Sequence, residues 1–219
     1  MSRAGDSGLV LHNYFRSSTS VRVRAALHLK GIAYEYRAYH LRKGEQRSDS
    51  YLALNRFGIV PALELPDGQV LNQSLAIVEW LDESYPEPPL LPADPVARAR
   101  VRAIALALAC EVHPLNNLKV LNALRERFGA DDAAVTGWFQ LWVNETFAPL
   151  EAELAESAGA YCFGDSPGLA DLCLFAQCVN NRRFNVDMAP YPVLDRIYRT
   201  CLANPAFDAA LPENAPDAE

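Results

Sequence analysis

The chain has 219 residues, half of them apolar, enough for one large domain or two small ones with true cores. Its formal net charge of −7 argues against a nucleic-acid partner, and no apolar run reaches the ~20 residues of a membrane span. Five scattered cysteines, an odd number with no CxxC pair, argue against a disulfide framework or a metal site and for reduced thiols in a cytoplasmic protein.

In chain order, "MSRAGDSG" has no apolar core behind its arginine, so it reads as a short disordered arm rather than a secretory signal. "LVLHNY" is a short apolar strand. "TSVRVRAALHLKG" is a helix with Val21, Ala25, Leu27 and Leu29 toward one side and Gly31 closing it. "YEYRAYH" alternates as a strand, and "SDSYLALN" is a short helix. "VPALELPDGQVL" is a hairpin with Asp-Gly in its turn, and "SLAIVEWLDESY" is a helix. The order βαβ then αββα makes this half a small α/β layer. "PEPPLLPADP", with five prolines in ten residues, reads as a stiff linker. Beyond it come helical stretches at Val96–Phe128, Asp131–Ser157, Leu169–Arg183 and Pro192–Leu202, so the second half is an all-helical bundle.

Three segments of the first half carry chemistry. In "RSSTS", Ser17, Ser18, Thr19 and Ser20 all qualify as helix N-caps, but one cap accounts for one hydroxyl and not for four. A helix N-terminus holds partial positive charge and free N–H groups, and a hydroxyl there can stabilise a thiolate. No cysteine lies in the cluster, so a thiol would arrive with a ligand. In "GIVPALE", Pro61 keeps Val60 extended; the Val60–Pro61 bond can be cis at such a turn, presenting backbone to an extended peptide. In "NQSLAIVEWL", Ser74 serves as a cap, and with Gln73 it could hold a carboxylate.

The combination of "YFRSSTSVRVRAALHLKGIAYEY", "GIVPALE", "NQSLAIVEWLDESYP", "HPLNNLKVL" and "RRFNVDMAPYP" resembles the zeta class of glutathione transferases, in its maleylacetoacetate and maleylpyruvate isomerase branches, from about Leu9 to Phe207. The resemblance implies a thioredoxin-like α/β domain at 8–87, an all-α domain at 95–212, a glutathione site and a homodimer. It puts the glutathione thiolate at Ser17 and Thr19 beside Ser18. The cysteinyl backbone would lie at Val60 and Pro61, the γ-glutamyl carboxylate at Gln73 and Ser74, and the glycyl end at Gln46. Many zeta enzymes carry cysteine where Thr19 stands, and threonine there is similar to the maleylpyruvate branch. "LNRFGIVP" departs from the usual Asn-Pro-Gln-Gly at Arg56 and Phe57. Gly168 replaces the usual Ser or Thr cap ahead of Asp171, a tolerated change.

On the substrate side, an acidic protein handling a small diacid must gather positive charge locally. Arg16 stands before the hydroxyl cluster, although a surface arginine needs no function. The resemblance places Arg183 beside the substrate, with Arg182 toward solvent. "EVHPLNNLKVL" adds His113, Asn117 and Lys119 to the ligand side, with Pro114 interrupting the helix. Related maleylpyruvate enzymes tend to carry arginine at Lys119, and lysine keeps the charge without the fork. The implied activity is glutathione-dependent cis-trans isomerisation of a maleyl-substituted keto diacid, with Ser17, Thr19, Arg16 and Arg183 doing the work. The alternatives are a general glutathione transferase, an α-haloacid dehalogenase, and a non-catalytic binding protein on the same fold.

Overall fold

The computed structural model describes residues 7–219. The expected disordered arm falls outside the described residues as far as position 6. Its last part is held in place: the Ser7 hydroxyl donates to the Ala33 carbonyl and accepts the Leu9 N–H at 3.1 Å.

By internal contacts the chain divides into two units. One runs to Pro89 and resumes at Ala203–Glu219; the other is Leu90–Leu202. In the first, β1 (Val10–Asn13), α1 (Ser18–Leu29) and β2 (Glu35–Ala38) form a crossover that leaves β1 and β2 parallel. Two 3₁₀ turns (Leu41–Lys43, Glu45–Arg47) and α2 (Asp49–Leu54) lead to β3 (Ala62–Glu64), β4 (Val70–Asn72) and α3 (Ser74–Ser84). The sheet order is β2-β1-β3-β4, with β3 antiparallel to both of its neighbours. The Asp-Gly turn forms as the sequence predicts: Gly68, at φ +83°, donates to the Leu65 carbonyl at 2.9 Å.

The sequence assigns α1 one apolar side, but the helix is buried all round, Arg22 and Arg24 included. α3 packs on it, and so does α9 (Pro205–Asp208), part of the chain that returns to this unit. The buried Arg24 draws that segment in: its Nε and Nη2 donate to the Ala210 carbonyl at 3.2 and 2.8 Å. The helical unit consequently ends at Leu202 rather than at 212.

In the second unit the expected helix over Val96–Phe128 is broken. α4 (Pro95–Leu106), capped by Asp94, widens into a π-helical segment at Ala107–Val112, and α5 (Leu118–Phe128) starts after a turn around Pro114. α6 (Asp132–Ser157), capped by Asp131, and α8 (Pro192–Leu202) follow the sequence reading. α7 (Leu169–Asn181) ends two residues earlier than predicted, in a 3₁₀ turn at Arg182–Phe184. The core of this unit gathers Val101, Ile104, Leu108, Phe139, Phe147, Phe175 and Ile197. Gly168, read as a merely tolerated cap, has a steric reason. A Cβ there would sit 2.8 Å from the Leu90 carbonyl oxygen, which accepts the Leu169 N–H at 2.9 Å. No helix among the described residues is long and apolar enough to cross a membrane.

Candidate functional site

The hydroxyl cluster sorts itself by burial. Ser20 is fully buried, with its Oγ turned back to accept the Tyr14 N–H at 3.5 Å, and Ser18 is buried too. Ser17 and Thr19 remain partly open at the first turn of α1. Ser17 is the N-cap, and its Oγ accepts the Ser20 N–H at 3.3 Å. Thr19 Oγ1 donates to the Val60 carbonyl at 3.1 Å and lies 2.7 Å from Ser17 Oγ. The single Thr19 proton is spent on Val60, so Ser17 is the donor within that pair. The three groups form one polarised chain, Ser17 to Thr19 to Val60, across the N-terminus of α1.

The Val60–Pro61 bond is cis. Tyr51 Oη and Asn55 Nδ2 donate to the Ile59 carbonyl at 2.6 and 2.9 Å, fixing the chain one residue before Val60. Arg56 and Phe57 lie in the turn just ahead: the Phe57 N–H donates to Asn55 Oδ1 at 3.2 Å, and the Phe57 ring is exposed.

At the start of α3, Gln73 holds φ +68°, an uncommon backbone value for a residue with a Cβ. Ser74 Oγ accepts from Arg22 Nη1 at 3.4 Å. Arg22 is missing from the sequence reading, yet it is 1% exposed, and its Nε and Nη2 have no hydrogen-bond partner among the described residues. Gln46 Oε1 is likewise buried without a partner. A buried guanidinium with two of its three nitrogens unpartnered beside a helix N-terminus is costly in the free protein and fits a carboxylate ligand. Arg16 is half-buried, with its Cζ 4.9 Å from the Phe15 ring centroid.

The remaining expected residues belong to the helical unit. Asn117 caps α5: its Oδ1 accepts the Lys119 N–H at 3.2 Å, and its Nδ2 lies 3.4 Å from His113 Nε2. Asn116 is buried and donates to the Phe139 carbonyl at 3.1 Å, while Trp138 Nε1 donates to the Leu115 carbonyl at 3.0 Å. The asparagine pair therefore has a fold role, holding the turn after the π segment. Lys119 is exposed. Arg182 and Arg183 are both exposed, and Arg183 Nη1 donates to Asn180 Oδ1 at 3.2 Å. Gln140, which the sequence does not single out, fixes this turn: its Nε2 donates to the Phe184 and Asn185 carbonyls at 2.9 and 3.2 Å. Phe184 also stacks on Phe139, with ring centroids 3.8 Å apart.

All five cysteines are free, and only Cys110 is exposed; burial pushes the Cys162, Cys178 and Cys201 thiols up. No group of three or more His, Cys, Asp or Glu side chains among the described residues could hold a metal ion.

Residues 16–84 match the family model described as the glutathione S-transferase N-terminal domain. A maleylpyruvate isomerase of Ralstonia sp is 48% identical over 209 residues, covering 94% of this chain and 98% of that protein. A solved structure titled as the holo form of maleyl pyruvate isomerase, a bacterial zeta-class glutathione-S-transferase, is also 48% identical. It superposes with a TM-score of 0.93, covering 96% of this chain and 100% of the other. The maleylacetoacetate isomerase of Anaeromyxobacter dehalogenans 2CP-1 was solved with dicarboxyethyl glutathione and citrate in its active site. It is 43% identical, with a TM-score of 0.86, covering 96% and 97% of the two chains.

Proposed function

The chain belongs to the glutathione S-transferase family, within its zeta class, and from that premise we propose that it is a glutathione-dependent cis-trans isomerase of a maleyl-substituted keto diacid. The candidate substrates are maleylpyruvate and maleylacetoacetate. The observation that carries the reading is the Ser17–Thr19–Val60 hydrogen-bond chain at the N-terminus of α1.

Glutathione supplies a thiol that, as thiolate, adds to the substrate's carbon–carbon double bond and leaves again, so that the bond turns while single. The protein's residues make that cycle possible. Ser17 can swing its proton off Thr19 toward a sulfur, with Thr19 still anchored to Val60. The α1 N-terminus adds partial positive charge, and both effects lower a bound thiol's pKa. Arg22 with Ser74 and Gln73 would hold the γ-glutamyl carboxylate, Val60 the cysteinyl backbone, and Gln46 the glycyl end. Arg16 would neutralise a substrate carboxylate and the enolate charge that develops on addition, and Arg183 and Lys119 are further candidates for that role. His113 would face the ligand side of the helical unit, with Asn117 as the cap that steadies it. We extend the proposal to a homodimer and to a reducing cytoplasm, the five free thiols supporting the second.

The test is loss of the cis-enedione absorbance in the presence of sub-stoichiometric glutathione. Many turnovers per glutathione mean an isomerase. One glutathione consumed per turnover means a conjugating transferase, and glutathione binding without turnover means a binding protein. Side-by-side kcat/KM values for the two diacids assign the substrate, and sedimentation equilibrium tests the dimer.

A further inference from the structure

The turn that delivers Arg16 and Ser17 is gripped from outside itself. Asp217 accepts the Phe15 backbone N–H at 3.3 Å with one carboxylate oxygen and the Tyr36 hydroxyl with the other. The Phe15 carbonyl accepts from Arg24 Nη2 at 2.9 Å. The Tyr14 carbonyl accepts the Ser17 N–H at 3.0 Å and Arg24 Nη1 at 3.4 Å. The backbone N–H and C=O of Phe15, in two successive peptides, are therefore each tied by a charged side chain, one from a segment some two hundred residues away and one from α1. Ala215 joins Tyr14, Phe15, Tyr51 and Val60 in one buried cluster, so the same segment shares a core with the residue whose carbonyl accepts the Thr19 hydroxyl.

We propose that Asp217 is a positioning residue for the thiolate end of the site, setting the direction in which Arg16 and Ser17 leave the turn. The proposal rests on the functional reading above. A charge-assisted hydrogen bond is stronger than a neutral one, and this acceptor fixes the Tyr14–Phe15 peptide, one residue ahead of the peptide that leads into Arg16 and that Arg24 holds. Burial, and then the bond to Asp217, push the Tyr36 phenol well above its ordinary value, so Tyr36 stays a donor throughout the working range of pH. Glu219, two residues on, meets His40 and Lys43 at 3.2 and 4.0 Å on the exposed surface, contacts that carry little.

The experiment compares Asp217→Asn, Asp217→Glu, Tyr36→Phe and Glu219→Gln in the full chain. It reads the pKa of the thiol of bound glutathione by ultraviolet titration, kcat and KM for the diacid, and the melting temperature. Asp217→Asn should raise the thiol pKa and lower kcat by roughly 10-fold, within the ~100-fold that a 1 Å misplacement can cost. Asp217→Glu should restore part of the loss, Tyr36→Phe should move both values the same way by less, and Glu219→Gln should leave them unchanged. A lower melting temperature with unchanged thiol pKa, kcat and KM overturns the proposal, leaving Asp217 a stabilising contact only. Where Asp217→Asn does not fold, Tyr36→Phe decides on the same readouts. The glutathione titration needs no diacid turnover, so it judges Asp217 even where the isomerase reading fails.

Discussion

Thr19 Oγ1 donates to the Val60 carbonyl at 3.1 Å, so one of the two open hydroxyls at the start of α1 is already committed to the peptide before Pro61. That commitment ranks the two open hydroxyls. Ser17, 2.7 Å from Thr19, is the one whose proton can turn to a ligand. Ser17→Ala should raise the pKa of bound glutathione and lower kcat by ~10-fold to 100-fold, the scale of one lost donor to a charged group. Thr19→Val should raise that pKa less, because Ser17 survives and merely loses its resting partner. Ultraviolet titration of the glutathione complexes measures both; a larger shift in Thr19→Val than in Ser17→Ala would make Thr19 the direct donor.

Arg22 gives a second prediction. Its Nε and Nη2 are buried without partners among the described residues, and its Nη1 reaches Ser74. Arg22→Met should weaken glutathione binding by ~10-fold to 150-fold, the loss of a charged hydrogen bond, while leaving the ligand-free melting temperature the same or higher. A glutathione analogue with its γ-glutamyl α-carboxylate amidated should bind both proteins alike. Calorimetric titration with the two ligands checks this; equal losses would mean that Arg22 only steadies Ser74.

His12 sets a pH dependence of stability. Its buried ring lies 3.0 Å from both the Tyr39 hydroxyl and the Glu64 carboxylate. Glu64 can only accept, so neutral His12 donates from Nε2 and accepts at Nδ1. Burial pulls its pKa below the ordinary 6.5, and Glu64 offsets this only in part. The unfolded chain therefore takes up the proton first. Stability should fall as pH drops from about 7 to about 5, levelling off once the folded imidazole also titrates. Urea denaturation across that range should show a shallower slope in His12→Gln. The slope that remains belongs to groups such as His28, lowered by burial and then by Arg24.

Gly168→Ala tests the linker contact. The new Cβ would lie 2.8 Å from the Leu90 carbonyl oxygen, and backbone must shift to make room. Overpacking of this kind costs about 1–3 kcal/mol, and Gly168→Ser should fare no better despite its capping hydroxyl. Denaturation midpoints check it, with kcat expected to stay near that of the parent chain.

Gly168 also shows where sequence reading stops. Caps, turns and the helix periods are local, so α6, α8, the Asp-Gly hairpin and the hydroxyl cluster are visible in the residues themselves. Arg22, Arg24 and Asp217 are not, because each acts through a partner distant in sequence and a charged residue by itself reads as surface. Asn116 and Asn117 carry the opposite lesson: a motif beside a candidate site turns out to be occupied by a cap and a turn. The π segment at Ala107–Val112 leaves no compositional trace at all, since its residues suit an α-helix equally well.

The last prediction concerns substrate charge, and it separates an isomerase of diacids from a simple transferase. Arg16 and Arg183 should matter to a diacid far more than to a neutral electrophile such as an aryl halide. Each guanidinium offers a charge-assisted, often bidentate bond to a carboxylate, and the neutral substrate has nothing to receive it. Arg16 is half-buried against Phe15, whereas Arg183 is exposed on a turn that Gln140 and Phe139 hold still. Removing either as Arg→Met should cost about 2–3 kcal/mol in kcat/KM with the diacid, or roughly 30-fold to 150-fold. Lys119→Arg should be neutral or mildly improving, because the charge persists and the fork is added. Gln140→Leu should reproduce part of the Arg183 loss through a less ordered turn. Steady-state kinetics on both substrate types provide the measurement. Equal losses on the diacid and the neutral substrate would make the arginines structural or glutathione-binding and would remove the carboxylate clamp from the mechanism.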